Sequence, residues 1–302
     1  MNILITAIGS MSAECVIKQL KTQLHTIIGI DIYPEDWHIE SKLCDYFYQV
    51  PYATDKEYCS RLLDICEKHN IDFIIPLTDL EIDVLSKCRN LFKAIFCMPD
   101  NNIIATVRNK YNLYKKFENN IPLIKTKLLS EYTEYNNDII IKPIMGRSSQ
   151  NIIKKPSINE FNAIIDRDNY IVQDYINGPI CTVDYCRSAK YKTEVIIARE
   201  ELIRTVNGAG LTVKMFNDDK LNQLVSYIGN SLNINGTVCI EFIKSTEYYL
   251  IDFNPRFSAG IDFSLRCGYD MVKNHIKCFT NHDIDQQINI PEKIFIKKFI
   301  TI

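Results

Sequence analysis

The sequence of 302 residues lacks the features that would indicate several protein classes. No apolar run approaches the length of a membrane span, and the chain begins with a predicted strand instead of a charged segment and an apolar signal core. The net charge is only −2, and no basic stripe with interleaved aromatic residues is present. We therefore expect neither a membrane nor a nucleic acid as a partner.

Histidine is scarce, and cysteine lacks the spacing of a metal site. The five histidines include no His-x-x-x-His pair, which disfavours a zinc hydrolase. The eleven cysteines are scattered, odd in number and never spaced Cys-x-x-Cys, and most lie in apolar stretches. This pattern indicates reduced thiols in the cytoplasm, without a disulfide framework or structural zinc.

Glycine is also scarce where a dinucleotide-binding turn would need it. Strands are predicted at residues 2–7 and 25–30, with a turn and a helix up to residue 21 between them, and this order is typical of a doubly wound sheet. Asp31 follows the second strand, but Gly9 is the one glycine in the turn, so the Gly-x-Gly-x-x-Gly fingerprint is absent. NAD(P) binding would be needed to support an oxidoreductase. Ser10 and Ser12 are expected to cap the helix.

Two apolar strands near the end of the chain contain several polar and charged side chains. Glu241 interrupts the first strand, and the second places Asp252, Asn254 and Arg256 on one face before it stops at a proline. If the strands pair through the turn at residues 244–247, Glu241 and Asp252 face one another. Two carboxylates and an amide oxygen form a site that Mg²⁺ accepts, and Arg256 would neutralise a phosphoryl group or clamp a carboxylate.

A lysine lies inside an apolar strand in the middle of the chain. Lys142 follows the isoleucines at 139–141, and a lysine in such a strand needs a counter-charge, which nucleotide phosphate would supply. The small and polar residues 145–151 come next, and their backbone N–H groups are suited to wrap phosphate. Residues 170–179 then predict a strand that stops in a turn.

These residues occur in the order found in ATP-grasp ligases, and the chain resembles that family. The resemblance is to the carbamoyl-phosphate-synthase-like carboxylate–amine ligases with an N-terminal pre-ATP-grasp domain, and it extends from Gly9 to Gly260. It implies an α/β and α+β ATP-grasp fold in three parts. These are a doubly wound parallel-sheet domain at residues 1–100, a small subdomain with the lid at 101–176, and an antiparallel-sheet subdomain with the metal site at 177–302.

The resemblance also implies roles for individual residues. The expected nucleotide-binding residues are Lys110, Lys142, Arg147, Ser148, Ser149, Gln173, Asp174, Tyr175, Ile176 and Asp184. The expected metal ligands are Glu241, Asp252 and Asn254, and the expected catalytic residues are Arg256, Lys142 and Arg199. Asp184 is included because Ile180 stands where the family has a ribose-binding glutamate, and Arg204 is the alternative to Arg199. Thr78, Asp79 and Glu81 are candidates either for the substrate side of the cleft or for capping a helix.

The implied activity is that of an ADP-forming ligase using ATP with Mg²⁺, or with Mn²⁺ in its place. A substrate carboxylate would attack the γ-phosphate, and an amine or thiol would capture the acylphosphate. The partners would be small-molecule carboxylates and amines, with a homodimer as a family-level expectation. Because Ile180 and Asn109 depart from the family pattern, an ATP-binding protein without ligase activity is the alternative.

Overall fold

The computed structural model describes residues 1–147 and 149–299, in which the strands form three sheets. The first sheet is parallel with the order β3-β2-β1-β4-β5. Its strands are β1 (Asn2–Ile5), β2 (Thr26–Asp31), β3 (Tyr46–Gln49), β4 (Phe73–Ile75) and β5 (Ile95–Phe96). Its helices are α1 (Ala13–Thr22), α2 (Tyr58–His69) and α3 (Asp79–Cys88), with short 3₁₀ turns at Glu35–Trp37, Ile39–Leu43 and Arg89–Leu91.

Alternate residues of the first sheet pack into two different hydrophobic cores, because successive side chains of a strand point to opposite faces. Ile3 and Ile5 of β1 pack with α1 and with the C-terminal part of the chain. Leu4 points to the opposite face and packs with α2 and α3. This is the doubly wound arrangement that the sequence predicts.

The second sheet is antiparallel with the order β6-β9-β7-β8. Its elements are α4 (Asn101–Val107), α5 (Lys110–Phe117), β6 (Thr126–Leu128), β7 (Ile139–Pro143), β8 (Ile153–Lys154), α6 (Ile158–Ala163) and β9 (Tyr170–Asp174), with 3₁₀ turns at Leu129–Glu131 and Arg167–Asn169. The helical region predicted at 101–119 is thus two helices. Asn109 separates them and caps α5, because its Oδ1 accepts hydrogen bonds from the backbone N–H of Tyr111 and Asn112.

The third sheet is antiparallel with the order β14-β13-β10-β11-β12-β15. Its elements are β10 (Ile180–Arg187), β11 (Glu194–Arg204), β12 (Gly210–Phe216), α7 (Asp219–Ser231), β13 (Gly236–Lys244), β14 (Tyr248–Asn254), α8 (Ile261–Arg266), α9 (Met271–Phe279) and β15 (Ile294–Ile296). One face carries Val183, Ile240 and Phe242 and packs on α5 and α7. The alternate residues of β10, β13 and β14 therefore point to the other face, where the candidate site lies.

Several sequence predictions can be judged on this fold. The ATP-grasp architecture of one parallel and two antiparallel sheets is present, and each sheet lies within one of the three predicted segments, whose exact boundaries stay predictions. The predicted capping of α1 is wrong, because neither Ser10 nor Ser12 makes a side-chain cap to its first turn. Within residues 1–147 and 149–299, no helix is both long and apolar enough to cross a bilayer.

Candidate active site

A row of polar side chains crosses the third sheet. The register pairs Arg199 with Thr182, Thr182 with Glu241, and Glu241 with Asp252. Glu241 and Asp252 therefore lie opposite one another on β13 and β14, in the hairpin that the sequence predicts. Asn254 lies two residues beyond Asp252 and pairs with Cys239, so its side chain belongs to the next row of the same face.

Each acid in this row has a cationic partner. The Nζ of Lys110 lies 2.7 Å from Oδ1 of Asp252, and Nη2 of Arg204 lies 2.9 Å from Oε2 of Glu241. Burial acts to raise the pKa of Asp252, but Lys110 and Lys142 outweigh it and hold that pKa below its usual value. Burial raises the pKa of Glu241, and the facing Asp252 adds to this, against the opposing charge of Arg204.

Lys142 projects from β7 towards the same acids. Its side chain is buried, yet it forms no ion pair with any of the residues that the structure describes. Burial, together with the charge of Lys110, lowers the pKa of Lys142 to about 8, although Asp252 and Glu241 act in the opposite direction. A buried ammonium group without a close partner fits a site whose missing charge comes from a bound anion.

A narrow crevice lies between the second and third sheets, beside Gln173, one of the residues predicted to contact adenine. It is lined by Lys110, Leu113, Tyr114, Leu123, Ile171, Gln173, Leu250 and Ile251. Its volume is about 20 Å³, so the sheets must move apart before a base can enter.

Gln173 leaves a buried acceptor in this crevice. The hydroxyl of Thr126 donates to the carbonyl of Ile124 at 2.8 Å, so it can only accept from Gln173, whose Nε2 donates to it at 2.8 Å. The remaining Oε1 of Gln173 is buried and has no hydrogen-bond partner among the described residues. An amino group on a bound base would satisfy this oxygen.

The other residues expected to bind nucleotide are more exposed. Asp174 ends β9 with an exposed side chain, while Tyr175 and Ile176 are half-buried just beyond it, in the turn predicted within residues 170–179. Arg147 and Ser149 are exposed at the predicted lid, and Ser148 lies outside the described residues. The roles of these residues in binding nucleotide stay predictions.

Arg256 is held by an acid from the first domain. Its Nε and Nη2 donate to the two carboxylate oxygens of Asp79 at 3.0 and 2.7 Å, and Asp79 is buried at the start of α3. Arg108, which forms a bidentate pair with Asp83, lies 3.6 Å from the same Asp79. The sequence identifies Arg256 but gives no signal for its partner, which is 177 positions away.

Glu81 is buried in the first turn of α3 and is held by three hydroxyl groups. The hydroxyls of Thr6, Thr78 and Tyr58 donate to its carboxylate at 2.6, 2.7 and 3.0 Å. Burial raises the pKa of Glu81, and these hydrogen bonds oppose that effect. Thr78 makes no side-chain cap to the backbone of α3, so the capping role is not its contact here. A substrate role for Thr78 and Glu81 stays a prediction.

Arg199 and Asp184 form a buried ion pair within the third sheet. Arg199 is 2% exposed, and its guanidinium donates to Asp184 at 2.8 Å, to Glu201 at 3.1 Å and to Ser258 at 3.1 Å. Asp184 is fully buried and also accepts from Ser264 at 2.6 Å. The cluster ties the loop after Arg256 to the sheet. A phosphate contact for Arg199 and a ribose contact for Asp184 stay predictions, and either would require these contacts to open.

The end of the chain contributes a residue that sequence reasoning missed. Pairing of β15 with β12 brings Lys297 to the loop that follows Arg256. Its Nζ lies 2.6 Å from Oδ1 of Asp262 and donates to the carbonyl of Ala259 at 3.0 Å. A lone lysine after a short strand carries no local pattern that would have identified this contact.

The donor set on β13 and β14 fits a hard cation. Glu241, Asp252 and Asn254 offer two carboxylates and an amide oxygen, the ligand types that Mg²⁺ takes beside phosphate oxygens and water. The Oδ1 of Asn254 accepts only a long hydrogen bond of 3.3 Å from Arg256. Across residues 1–147 and 149–299, no cluster of three or more His, Cys, Asp and Glu side chains is arranged for a metal, so the amide is needed to complete the set.

Known protein families account for most of the chain. Residues 107–260 match the ATP-grasp domain, and residues 3–99 match the PylC-like N-terminal domain. The tyramine–L-glutamate ligase of Methanocaldococcus fervens is 22% identical over 237 residues, which cover 76% of this chain and 74% of that protein. The predicted resemblance is confirmed.

Solved structures show the same fold. The biotin carboxylase domain of Hydrogenobacter thermophilus 2-oxoglutarate carboxylase, a dimer in complex with MgADP, ADP and bicarbonate, gives a TM-score of 0.79 at 16% identity, covering 97% of this chain and 73% of that chain. The N5-carboxyaminoimidazole synthetase of Staphylococcus aureus, complexed with ADP, gives 0.77 at 13% identity, covering 96% and 79%. These matches show the fold. The ATP-grasp family match and the ligase relative favour the ligase prediction over an ATP-binding protein without ligase activity.

Proposed function

Because this chain belongs to the ATP-grasp family, we propose that it is an ADP-forming ligase that activates a carboxylate as an acylphosphate for attack by an amine. The observation that carries the proposal is the cleft between the second and third sheets. There Lys142 is buried without an ion-pair partner among the described residues, opposite the paired acids Glu241 and Asp252. This arrangement lacks an anion on the lysine side, which the phosphates of ATP would supply. The acids are paired with Lys110 and Arg204, contacts that Mg²⁺ would replace.

The nucleotide would bind across this cleft. Lys142 and Lys110 hold the phosphates, and Gln173 accepts a hydrogen bond from the exocyclic amine of adenine. Glu241, Asp252 and Asn254 hold Mg²⁺, which supplies charge neutralisation at the phosphate oxygens when it is bound. For this to happen, Lys110 must exchange its contact with Asp252 for a phosphate oxygen.

The chain's own residues then act by positioning and charge. Arg256, oriented by Asp79, neutralises the transferring phosphoryl group or clamps the substrate carboxylate. The carboxylate oxygen attacks the γ-phosphorus and ADP leaves, and the amine nitrogen then attacks the acyl carbon and displaces phosphate. No side chain serves as a covalent nucleophile.

The name of the ligase relative supports a proposal for the substrate class. Its name pairs an amine, tyramine, with the amino acid L-glutamate. We extend this class to the present chain: an amino-acid carboxylate and a small-molecule amine. A homodimer and a cytoplasmic location stay predictions.

The first test measures ADP release in Mg-ATP with pooled carboxylic acids and amines, with and without hydroxylamine. We expect one pool to stimulate ADP release and to yield a hydroxamate, because hydroxylamine traps an acylphosphate. Asp252→Ala should abolish the turnover, whereas Glu247→Ala, in the exposed turn of the same hairpin, should not.

Two results would contradict parts of the proposal. Unimpaired turnover in Asp252→Ala would refute the metal assignment. Measurable Mg-ATP binding without substrate-stimulated ADP release from any pool would favour the alternative of a non-catalytic nucleotide-binding protein.

A further inference from the structure

A cavity of about 550 Å³ lies between the first domain and the part of the chain that forms the third sheet. One wall consists of residues between 89 and 103, around β5 and the start of α4. The other wall comes from the turn after β10, the loop after α7 and the end of α9. A cavity of this volume at a domain interface is large enough for a small organic ligand. We call it the interdomain cavity.

Arg89 places a positive charge in the first wall without a close carboxylate. Its Nη1 lies 3.7 Å from Oδ1 of Asp100, whose side chain is 82% exposed, so this ion pair is weak. Its Nη2 donates to the carbonyl of Pro99 at 2.6 Å, while its Nε is buried and has no hydrogen-bond partner among the described residues. Burial lowers the pKa of Arg89, and the opposing effect of Asp100 does not restore it. The charge of Arg89 is therefore only partly compensated.

Lys190 places a second positive charge in the opposite wall. Its side chain is exposed, and its Nζ donates to the neutral amide oxygen of Asn281 at 3.3 Å. The charged residues that line the cavity are Arg89, Lys190 and Asp100, so two cations against one carboxylate give the lining a net charge of +1. This balance favours an anionic ligand.

Aromatic rings form much of the remaining wall. Phe92 and Phe279 line the cavity and are half-buried, so part of each ring is accessible. Phe92 packs edge to face on the buried Phe96, with their centroids 5.1 Å apart. The guanidinium carbon of Arg89 lies 5.9 Å from the centroid of Phe96, which places the cation beside the apolar wall. A ligand that matches both features has an anionic group and an apolar body.

The interdomain cavity is separate from the candidate active site. It shares no lining residue with the crevice around Gln173. Helix α3 begins at Asp79, the partner of Arg256, and ends at Cys88, the residue before Arg89. This helix of 10 residues is about 15 Å long, so a ligand beside Arg89 leaves the candidate active site free.

We propose that the interdomain cavity is a second ligand site, which binds a small organic anion with an apolar body. The anionic group, a carboxylate or a phosphate ester, pairs with Arg89, and Lys190 adds to the positive potential. The apolar body packs on Phe92 and Phe279. This inference does not depend on the proposed ligase function, because none of these residues takes part in that reaction.

Titration calorimetry with and without saturating Mg-ADP tests the site. The anionic probes are 3-phenylpropionate and phenyl phosphate, whose affinities distinguish a carboxylate from a phosphate group. The controls are 3-phenylpropanamide, which lacks the charge, and propionate, which lacks the ring. We expect saturable binding of an anionic probe at one site per chain, unaffected by Mg-ADP, and at least about tenfold weaker binding of both controls. No saturable binding of either anionic probe, displacement by Mg-ADP, or equal binding of the amide would overturn the proposal.

Variants place the bound probe in the interdomain cavity. Arg89→Gln should raise the Kd for the anionic probe about tenfold or more, because it removes a charge-assisted hydrogen bond. Lys190→Gln should raise the Kd several-fold, and because Lys190 is exposed, this variant decides the question if Arg89→Gln does not fold. Lys93→Gln removes a charge from an exposed residue of the same segment that does not line the cavity, and it should leave the Kd unchanged. Wild-type affinity in Arg89→Gln and Lys190→Gln, or an equal loss in Lys93→Gln, would refute the site.

Discussion

Deprotonation of Lys142 should weaken nucleotide binding above about pH 8. In the free protein, burial lowers the pKa of Lys142 from 10.5 to about 8. Bound phosphates would restore the charged form, because an anion at hydrogen-bonding distance favours the ammonium group. Binding and protonation are therefore linked, and each neutral Lys142 must take up a proton before it can hold the phosphates.

The size of the effect follows from this linkage. If the bound phosphates return the pKa to its ordinary value, the Kd for Mg-ATP should rise about 30-fold between pH 7 and pH 9.5. At pH 8.5, about three quarters of the free protein has a neutral Lys142, so binding should take up about 0.75 proton. The same shift corresponds to roughly 3 kcal/mol against folding at neutral pH, at 1.36 kcal/mol for each pH unit.

A rise in pH should change the stability of the free protein and its affinity for nucleotide in opposite directions. Between pH 8 and pH 10.5 the unfolded chain holds the proton on Lys142 and the folded protein does not, so the stability of the free protein should rise with pH in this window while nucleotide affinity falls. Lys142→Met should raise the free energy of unfolding at pH 7 and abolish nucleotide binding, because it removes the buried charge that the phosphates require.

Titration calorimetry in buffers with different ionisation enthalpies measures both Kd and proton uptake. Lys142→Arg is the matched control: it keeps a positive charge that does not titrate below about pH 12, so its Kd should not show the wild-type rise above pH 8. A wild-type Kd that is flat from pH 7 to 9.5, or binding without proton uptake at pH 8.5, would refute the reasoning.

Two further predictions concern residues around this centre. Asp79→Asn should lower kcat by about 100-fold with little change in the Kd for Mg-ATP, because Arg256 loses its bidentate partner. Asp83→Asn removes the bidentate partner of Arg108 but leaves the Asp79–Arg256 pair, so it should have a smaller effect. Equal kcat losses would contradict the positioning role of Asp79. Gln173→Leu should raise the Kd for ATP about 2- to 12-fold, because the variant loses the acceptor of the proposed hydrogen bond. The Kd for purine riboside triphosphate, which lacks the exocyclic amine, should stay nearly unchanged. An equal rise in Kd for both nucleotides would refute the hydrogen bond.

The residues that could be predicted from the sequence are those whose placement depends on local periodicity. Alternation along a strand is enough to put Asp252 and Asn254 on one face. The pairing that continues from the turn, through Phe242 with Leu250, would place Glu241 opposite Ile251, and a β-bulge that the sequence does not announce brings it opposite Asp252 instead. Burial of Arg199 could not be predicted in this way, because its strand alternates like any other and its partners come from β10 and the loop after β14. Contacts between distant segments depend on how the domains pack.

That packing also determines which cations have carboxylate partners before a ligand binds. Arg199 is paired with Asp184 and Glu201, and Arg256 is held by Asp79, which orients it for its proposed role at the phosphoryl group or the substrate carboxylate. Lys110 has one exchangeable contact, with Asp252. Lys142 alone of these four is buried without an ion pair in the described part of the chain. Because a buried charge without a partner costs several kcal/mol, the fold retains it only where a ligand provides the opposite charge, and we expect the phosphates there.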